Sequence, residues 1–126
     1  MERGQGAAVK LDVQLDPRLA GLCARARLAG TVTTGDGGEA RSVDVWLELT
    51  EQVKGFRHVA RRTDAIRLHT GTVPPGHQLR FALRIPAEAP PSLETEWGSL
   101  VWTLVVRADR PRRPDARAEV ELEILG

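Results

Sequence analysis

The sequence has little of the chemistry from which metal sites are built. It contains one cysteine and three histidines, and neither Cys23 nor His58, His69 and His77 are spaced like metal ligands. A single thiol also excludes a disulfide within the chain, which favours a cytoplasmic protein over a secreted, disulfide-stabilised one. We therefore expect no bound metal and no cofactor.

Catalytic motifs are missing as well. Ser92 and Ser99 lack the strand-turn-helix context of a nucleophile elbow, and no glycine-rich loop precedes a helical segment. Asp109 and Asp115 flank a loop, where carboxylates usually cap turns. The sequence predicts a protein that is not an enzyme, and an active site completed by another chain is the open alternative.

Neither the charge nor the hydropathy of the chain indicates a polyanion or a bilayer as its partner. The 18 basic and 17 acidic residues leave a net charge of +1, whereas nucleic-acid-binding domains usually carry a clear basic excess. No stretch approaches the roughly 20 apolar residues that cross a bilayer. We expect no membrane span and disfavour nucleic acid as a partner.

What the chain does contain is a regular alternation of apolar and polar residues, which is typical of half-buried strands. The alternation runs through residues 9–15, 22–32, 43–49, 79–85 and 118–124, and no window of helical length favours a helix. A chain of 126 residues has the usual length of one domain. We expect a disordered tail at residues 1–7 and one domain at residues 8–126.

The pattern predicts an all-β fold, an immunoglobulin-like two-sheet antiparallel β-sandwich of about seven to eight strands. Residues 100–106 are apolar on both faces, which is typical of a central strand, and residues 35–38 predict a hairpin loop. Residues 51–64 are compatible with a strand and long loop, a helix or a mobile excursion. The predicted core contains Leu47, Phe81, Leu83, Trp102, Leu104 and Leu122.

Several short segments resemble the arrestin-like N-terminal domain. Residues 81–86, Phe-Ala-Leu-Arg-Ile-Pro, lead to Pro-Pro-Ser at 90–92, and Gly-Ser-Leu-Val-Trp-Thr-Leu at 98–104 follows. Residues 28–32 and 43–47 resemble the hairpin of the same family, which includes bacterial sporulation-control proteins and the cargo subunit of retromer. The resemblance covers most of residues 22–125 and implies one arrestin-like sandwich, whereas family members usually have two lobes. No receptor-binding or phosphate-sensing residues carry over.

Two clusters of arginine stand out. Arg57, Arg61 and Arg62 form one, and the other contains Arg107, Arg110, Arg112, Arg113 and Arg117. If both clusters lie at one end of the sandwich, they form a positive patch suited to an acidic protein. Solvated surface charge is the alternative interpretation, and no aromatic residues interleave with the arginines as stacking on nucleic-acid bases requires.

Two tryptophans and a row of glutamates complete the candidate features. Trp46 occupies a polar-phase position, so it is an exposed interface aromatic unless residues 51–64 cover it. Trp97 precedes the central strand, where it either plugs the sandwich end or contacts a partner. The last strand carries a row of like charges, Glu119, Glu121 and Glu123. The row indicates a solvated face that discourages edge-to-edge aggregation; the alternative is a face opposed across strands by Arg25 and Arg27, or by Arg80 and Arg84.

Together these features predict a non-catalytic protein–protein interaction module, an adaptor or a subunit of a larger intracellular assembly. The alternative is binding of nucleic acid or an anionic surface through the arginine-rich loops. Edge strands such as residues 9–15 offer a route to strand addition or to a homo-oligomer. The candidate partner-binding residues are Trp46, Arg61, Arg62, Trp97, Arg110, Arg112 and Arg113.

Overall fold

The computed structural model describes residues 11–16, 22–35, 40–74, 76–112 and 114–125. Every regular element in this part of the chain is a strand. The strands are β1 (Leu11–Leu15), β2 (Leu22–Cys23), β3 (Arg27–Thr34), β4 (Ser42–Val53), β5 (Phe56–Arg62), β6 (Ile66–Thr70), β7 (Gln78–Arg84), β8 (Leu93–Thr95), β9 (Gly98–Asp109), β10 (Ala116–Leu122) and β11 (Ile124–Leu125).

The larger sheet is built around β4 and β9, two twelve-residue strands that pair antiparallel over almost their whole length. β5 and β6 follow one another along the other side of β4, and β8 and β10 do the same along β9. The sheet is therefore four strands wide, although six strands contribute to it. The prediction that residues 100–106 form a central strand is confirmed.

The smaller sheet has the order β1-β3-β7 and is antiparallel throughout. Gly30 of β3 lies directly opposite Phe81 of β7, and the absence of a side chain at Gly30 makes room for the phenyl ring. β1 lies beside β10, and β6 lies beside β7, so the two sheets approach one another along both sides of the sandwich. A short parallel pair, β2 with β11, closes one corner.

The core lies between the two sheets and is supplied by the alternating residues of each strand. β4 and β9 contribute the largest share, including Leu47, Trp102 and Leu104, all fully buried. The indole of Trp102 donates a hydrogen bond of 2.8 Å to the carbonyl of Pro90, which satisfies its one polar group. Of the six predicted core residues, only Leu83 is half-buried, so the assignment of the inward faces is confirmed.

Two connections differ from the sequence prediction. β3 and β4 lie in different sheets and do not pair, so they do not form the predicted hairpin. Residues 36–38 of its predicted loop lie outside the described residues. Residues 22–32 are not one strand, because Arg25 has a φ of 70°, a left-handed conformation that interrupts an extended backbone. The alternation carries across this turn, which is why periodicity alone missed it.

Residues 51–64 form no helix. They contain the end of β4, a two-residue turn at Lys54 and Gly55, and β5. β5 pairs with β4 but has an extra residue at Ala60, where the register shifts between Leu49 and Thr50. The helix-like spacing of Val53, Phe56 and Val59 has another cause: the turn separates Val53 from Phe56, and Phe56 and Val59 lie on opposite faces of β5. The predicted tail at residues 1–7 lies outside the described residues, as do Val9 and Lys10 of the predicted first strand.

Candidate protein-binding surface

Trp46 lies on the outer face of the larger sheet, as its polar-phase position in β4 predicts, but it is only 1% exposed. The guanidinium of Arg62, from β5, stacks over the indole at 4.1 Å from the ring centroid. Arg107 and Arg117 approach the same ring at 5.4 and 5.8 Å. Guanidinium groups favour such positions because they meet the negative face of the π-system.

Two buried carboxylates hold these arginines in place. Asp44 accepts a hydrogen bond of 2.9 Å from Arg67 Nε, and Arg107 Nη2 lies 3.8 Å from its second oxygen. Glu48 accepts from the indole of Trp46 at 2.8 Å and lies 3.3 Å from Arg117 Nη2. Pairing of this kind is what permits charged groups to be buried.

The same contacts act on the arginines. The hydrogen bond to Asp44 raises the pKa of Arg67 above its ordinary value. The hydrogen bond to Glu119 has the largest effect on Arg117 and, with the attraction of Glu48, raises the pKa of that guanidinium. Arg117 therefore stays charged at all ordinary pH values, and its contact with the ring of Trp46 persists across that range.

The expectation of an exposed Trp46 is therefore wrong, and the alternative, in which residues 51–64 cover it, describes the structure. Arg62, at the end of β5, is the part of the cover that comes from this segment. Sequence reasoning missed the remainder of the cover because Arg107 and Arg117 come from strands that are distant in sequence.

The exposed aromatic residues lie instead at the far end of the larger sheet, where two hairpins end side by side. The first hairpin joins β4 to β5 through Lys54 and Gly55, with φ values of 45° and 87°. Positive φ at both central residues gives the turn a twist that matches paired strands. The turn places Val53 opposite Phe56 at the base of the tip.

The second hairpin joins β8 to β9 through Glu96 and Trp97. The hydroxyl of Thr95 accepts hydrogen bonds from the backbone N–H groups of Trp97 and Gly98, at 3.1 and 3.2 Å. The Thr95 side chain also bonds the Gly98 carbonyl at 3.1 Å. One side chain thus fixes the backbone on which Trp97 is presented.

Close approach of the two tips depends on Gly98. A Cβ at this position would lie 2.5 Å from the carbonyl oxygen of Gln52 and 3.1 Å from a methyl group of Val53, so only glycine fits without a shift. The ammonium of Lys54 reaches back to 5.7 Å from the centroid of Trp97. We call Val53, Lys54, Phe56 and Trp97 the hairpin-tip surface.

The hairpin-tip surface is strongly apolar for a solvent-facing region. Phe56 is 79% exposed, Trp97 66% and Val53 41%. Trp97 is thus placed at the surface and does not plug the sandwich end. Phe56 was not among the predicted binding residues. The sequence does indicate its exposure, because the Lys54-Gly55 pair between two extended segments is typical of a tight turn and Phe56 follows it directly.

The two arginine clusters do not meet at one end of the sandwich. Arg57 lies near the hairpin tips, whereas Arg112 follows the opposite end of β9. β9 has twelve residues, and at a rise of about 3.3 Å per residue its ends lie about 36 Å apart. Arg61 lies 3.6 Å from Glu88, and Arg110 is buried. The clusters therefore do not form a patch at one end of the sandwich. Arg62 of the first cluster instead meets Arg107 and Arg117 of the second over Trp46, where Asp44 and Glu48 offset their charge.

Arg112 is exposed and has a φ of 61°, while Arg113 lies outside the described residues. The alternative of cross-strand arginines opposite the glutamate row is also wrong. Glu119 pairs with Arg117 of its own strand at 2.7 Å. Arg80 instead binds Asp16 at 3.1 Å, and Arg84 donates to the carbonyl of Arg25. The cause is topology, because β10 pairs with β9 and not with β3 or β7.

Among the described residues, no group of three or more His, Cys, Asp or Glu side chains is placed to hold a metal ion. His69 and His77 lie with ring centroids 5.7 Å apart in an edge-to-face arrangement. The described part of the chain also holds no helix long and apolar enough to cross a membrane.

The chain matches no protein-family model and no curated protein. Its structure is similar to the crystal structure of Spo0M, a sporulation control protein from Bacillus subtilis, with a TM-score of 0.74 and 21% sequence identity. The fold is arrestin-like. The match covers 95% of this chain and 50% of Spo0M, so the chain spans half the length of that protein. The predicted sandwich is confirmed, and the resemblance holds at the level of fold.

Proposed function

We propose that this protein is a non-catalytic interaction module that binds another protein through the hairpin-tip surface. The observation that carries the proposal is the exposure of Phe56 and Trp97, 79% and 66%, on two tips that touch. Contiguous exposed apolar surface is uncommon on monomeric soluble proteins and marks interaction sites. Aromatic side chains are enriched in such sites because they bury a large area at little entropic cost.

The way the tips are built supports the same proposal. The backbone of each tip is fixed, one by a tight turn with positive φ values and the other by the Thr95 hydroxyl. A surface that is already rigid loses little freedom when a partner binds, and this increases affinity. Lys54 and Glu96 border the aromatic residues, as polar groups border most interfaces.

The relationship to Spo0M supports a regulatory protein, since that neighbour is described as a sporulation control protein. We propose an adaptor or a subunit of a cytoplasmic assembly. The alternative, a nucleic-acid binder, gains little from the structure. Arg61, Arg107 and Arg117 are each close to carboxylates, and this local neutralisation weakens attraction to phosphate.

The test compares captured proteins. Wild-type protein and the double variant Phe56→Ser, Trp97→Ser are immobilised and exposed to lysate of the native host, and the bound proteins are identified by mass spectrometry. We expect the double variant to lose the specific partner, with an unchanged melting temperature because both side chains are exposed.

The matched control is Ile66→Ser, which removes an exposed apolar side chain from β6, opposite Val45 and eight residues along β4 from the tip residue Val53. The control is expected to retain the partner. If wild type, control and double variant capture the same proteins in the same amounts, the hairpin-tip surface is not the binding site and the proposal fails.

A further inference from the structure

β5 is an edge strand that no other described strand covers. The edge of the sandwich at β1 lies beside β10, and the edge at β6 lies beside β7. β5 ends the order of the larger sheet and pairs with β4 alone among the described strands, and all seven of its residues are exposed. Its outer backbone groups are therefore available to pair with another extended chain.

β5 carries strong charge of one sign. Three of its seven residues are arginine, one is histidine, and none is acidic. The pairing with β4 places Arg57, Val59 and Arg62 on the outer face and Phe56, His58 and Arg61 on the inner face. An added strand would meet both rows, because alternate residues of a strand point to opposite faces.

The outer row has cationic groups without acidic partners in the described part of the chain. Arg62 stacks on Trp46 and makes no ion pair there, and neither does Arg57. Arg57 borders a shallow depression of about 300 Å³ with Glu119 and Glu121 on its far side. Those glutamates are on β10, three strands away, which at about 4.8 Å per strand is too far for an ion pair.

The inner row is partly neutralised. Arg61 lies 3.6 Å from Glu88, and His58 lies 3.5 Å from Glu51. The outer row is therefore where an incoming carboxylate gains most. Val59, 50% exposed between the two unpaired arginines, adds an apolar contact at the centre of the row.

A second copy of β5 is a poor occupant of this edge. In an antiparallel pair of two copies, the outer row of one copy, Arg57, Val59 and Arg62, runs against the same row of the other, so arginine faces arginine at both ends of the row. Like charges directly opposite one another destabilise a strand pair. Since β5 has no carboxylate, other registers do not relieve the repulsion.

We infer that β5 binds an extended acidic segment of the partner protein by strand addition, with carboxylates of that segment on Arg57 and Arg62 and an apolar side chain between them on Val59. The inference rests on the proposed function and names the chemistry of the partner. Phe56 belongs both to the hairpin-tip surface and to the exposed edge of β5, because it is the first residue of β5. A partner bound at the hairpin tips would therefore extend along the edge of β5.

The first test uses a fluorescent peptide, Thr-Glu-Thr-Val-Thr-Glu-Thr, and its matched partner with Gln in place of both Glu residues. We expect fluorescence anisotropy to show binding of the Glu peptide that weakens with salt. The Gln peptide and the variant Arg57→Gln, Arg62→Gln are each expected to lose about fivefold in affinity, as for two exposed ion pairs. Arg27→Gln, Arg112→Gln is the control, with two exposed arginines changed elsewhere.

Because Arg62 also covers Trp46, folding of the double variant is checked by circular dichroism, and Arg57→Gln alone is measured beside it. Equal affinity of the wild type for the Glu and Gln peptides overturns the inference. So does a loss in the control variant as large as that in the Arg57 and Arg62 variants, or no binding of the Glu peptide to wild type at all.

The second test asks whether the peptide binds as a strand. Two peptides carry N-methyl groups on alternate residues, one set in odd and one in even positions. In an added strand only one alternation faces β5, so one peptide is expected to lose binding and the other to keep it. Equal behaviour of the two overturns strand addition.

The outcomes for the two proposals are separable. If the Phe56 and Trp97 variant loses the native partner but the wild type does not bind the Glu peptide, the proposed function is supported and the acidic-segment inference is wrong. If the wild type binds the Glu peptide but that variant still captures the native partner, β5 binds acidic segments and the hairpin-tip surface is not the binding site.

Discussion

The indole N–H of Trp46 donates a hydrogen bond of 2.8 Å to a carboxylate oxygen of Glu48, two residues further along β4. Residues two apart on a strand share a face, so both side chains lie on the outer surface of the larger sheet. Arg62 covers the ring and Arg117 reaches the same carboxylate. A face normally left to solvent thus holds a buried polar cluster that links β4, β5 and β10.

Replacing Trp46 is expected to destabilise the fold although the residue lies outside the central core. Trp46→Ala should cost about 3–5 kcal/mol, as for other large aromatic truncations. Trp46→Phe retains most of the ring but leaves Glu48 without the indole donor, and about 1–3 kcal/mol is expected. Urea denaturation followed by circular dichroism measures both.

Trp97→Ala is the matched control for these variants. The side chain is 66% exposed, so its removal should change the free energy of unfolding by no more than about 0.5 kcal/mol. Equal losses for Trp46→Ala and Trp97→Ala would contradict the cover of arginines over Trp46.

The inward-facing row of β9 should be the most sensitive part of the core. Leu104 is fully buried between the sheets, and Leu104→Ala is expected to cost about 2–5 kcal/mol through lost burial and the remaining cavity. The urea midpoint should fall with little change in slope. Leu93→Ala, at an exposed position of β8, should be close to neutral, and a loss there that equals Leu104→Ala would argue against this core.

Gly30→Ala tests the close contact in the smaller sheet. A Cβ at this position would lie 2.5 Å from the carbonyl oxygen of Gln14 and 2.7 Å from the ring of Phe81. Overpacking of this kind costs about 1–3 kcal/mol. Adding Phe81→Leu removes the ring but not the Gln14 contact, so a double-mutant cycle should show coupling between the two sites. Fully additive effects would mean that the ring does not constrain Gly30.

The pair formed by Asp16 and Arg80 should make stability depend on pH. The hydrogen bond from Arg80 lowers the pKa of Asp16 in the folded state. A carboxyl group with a lowered folded-state pKa stabilises the fold fully above its unfolded-state pKa, about 4. This stabilisation is lost as the pH falls through the pKa of the folded state. The difference in stability between wild type and Asp16→Asn should therefore be small but measurable at pH 7 and shrink in acid.

Asp12→Asn is the control for this pH dependence, since Asp12 lies on the same strand and makes no ion pair with the described residues. Thermal unfolding measured from neutral to acid pH gives both differences. A gap between wild type and Asp16→Asn that stays constant down to the acid limit would exclude the Arg80 pair as its source.

The alternation of the sequence determined the fold class and most of the core by itself. Burial on one face of a strand requires a period of two, so the inward positions of β4, β7, β9 and β10 follow directly from the residue order. Residues 100–106 of β9 are apolar on both faces, and this pattern likewise predicted that β9 is a central strand. Composition also predicted a chain without metal or catalytic motifs, and these expectations stay predictions.

Only the tertiary structure decided which side chains are available to a partner. Trp46 and Trp97 both occupy positions that the sequence marked as outward, yet one is covered and the other exposed. The difference arises because Arg62, Arg107 and Arg117 come from three other strands and converge on Trp46. Side-chain exposure depends on which strands become neighbours, and strand order is a long-range property that local periodicity does not contain.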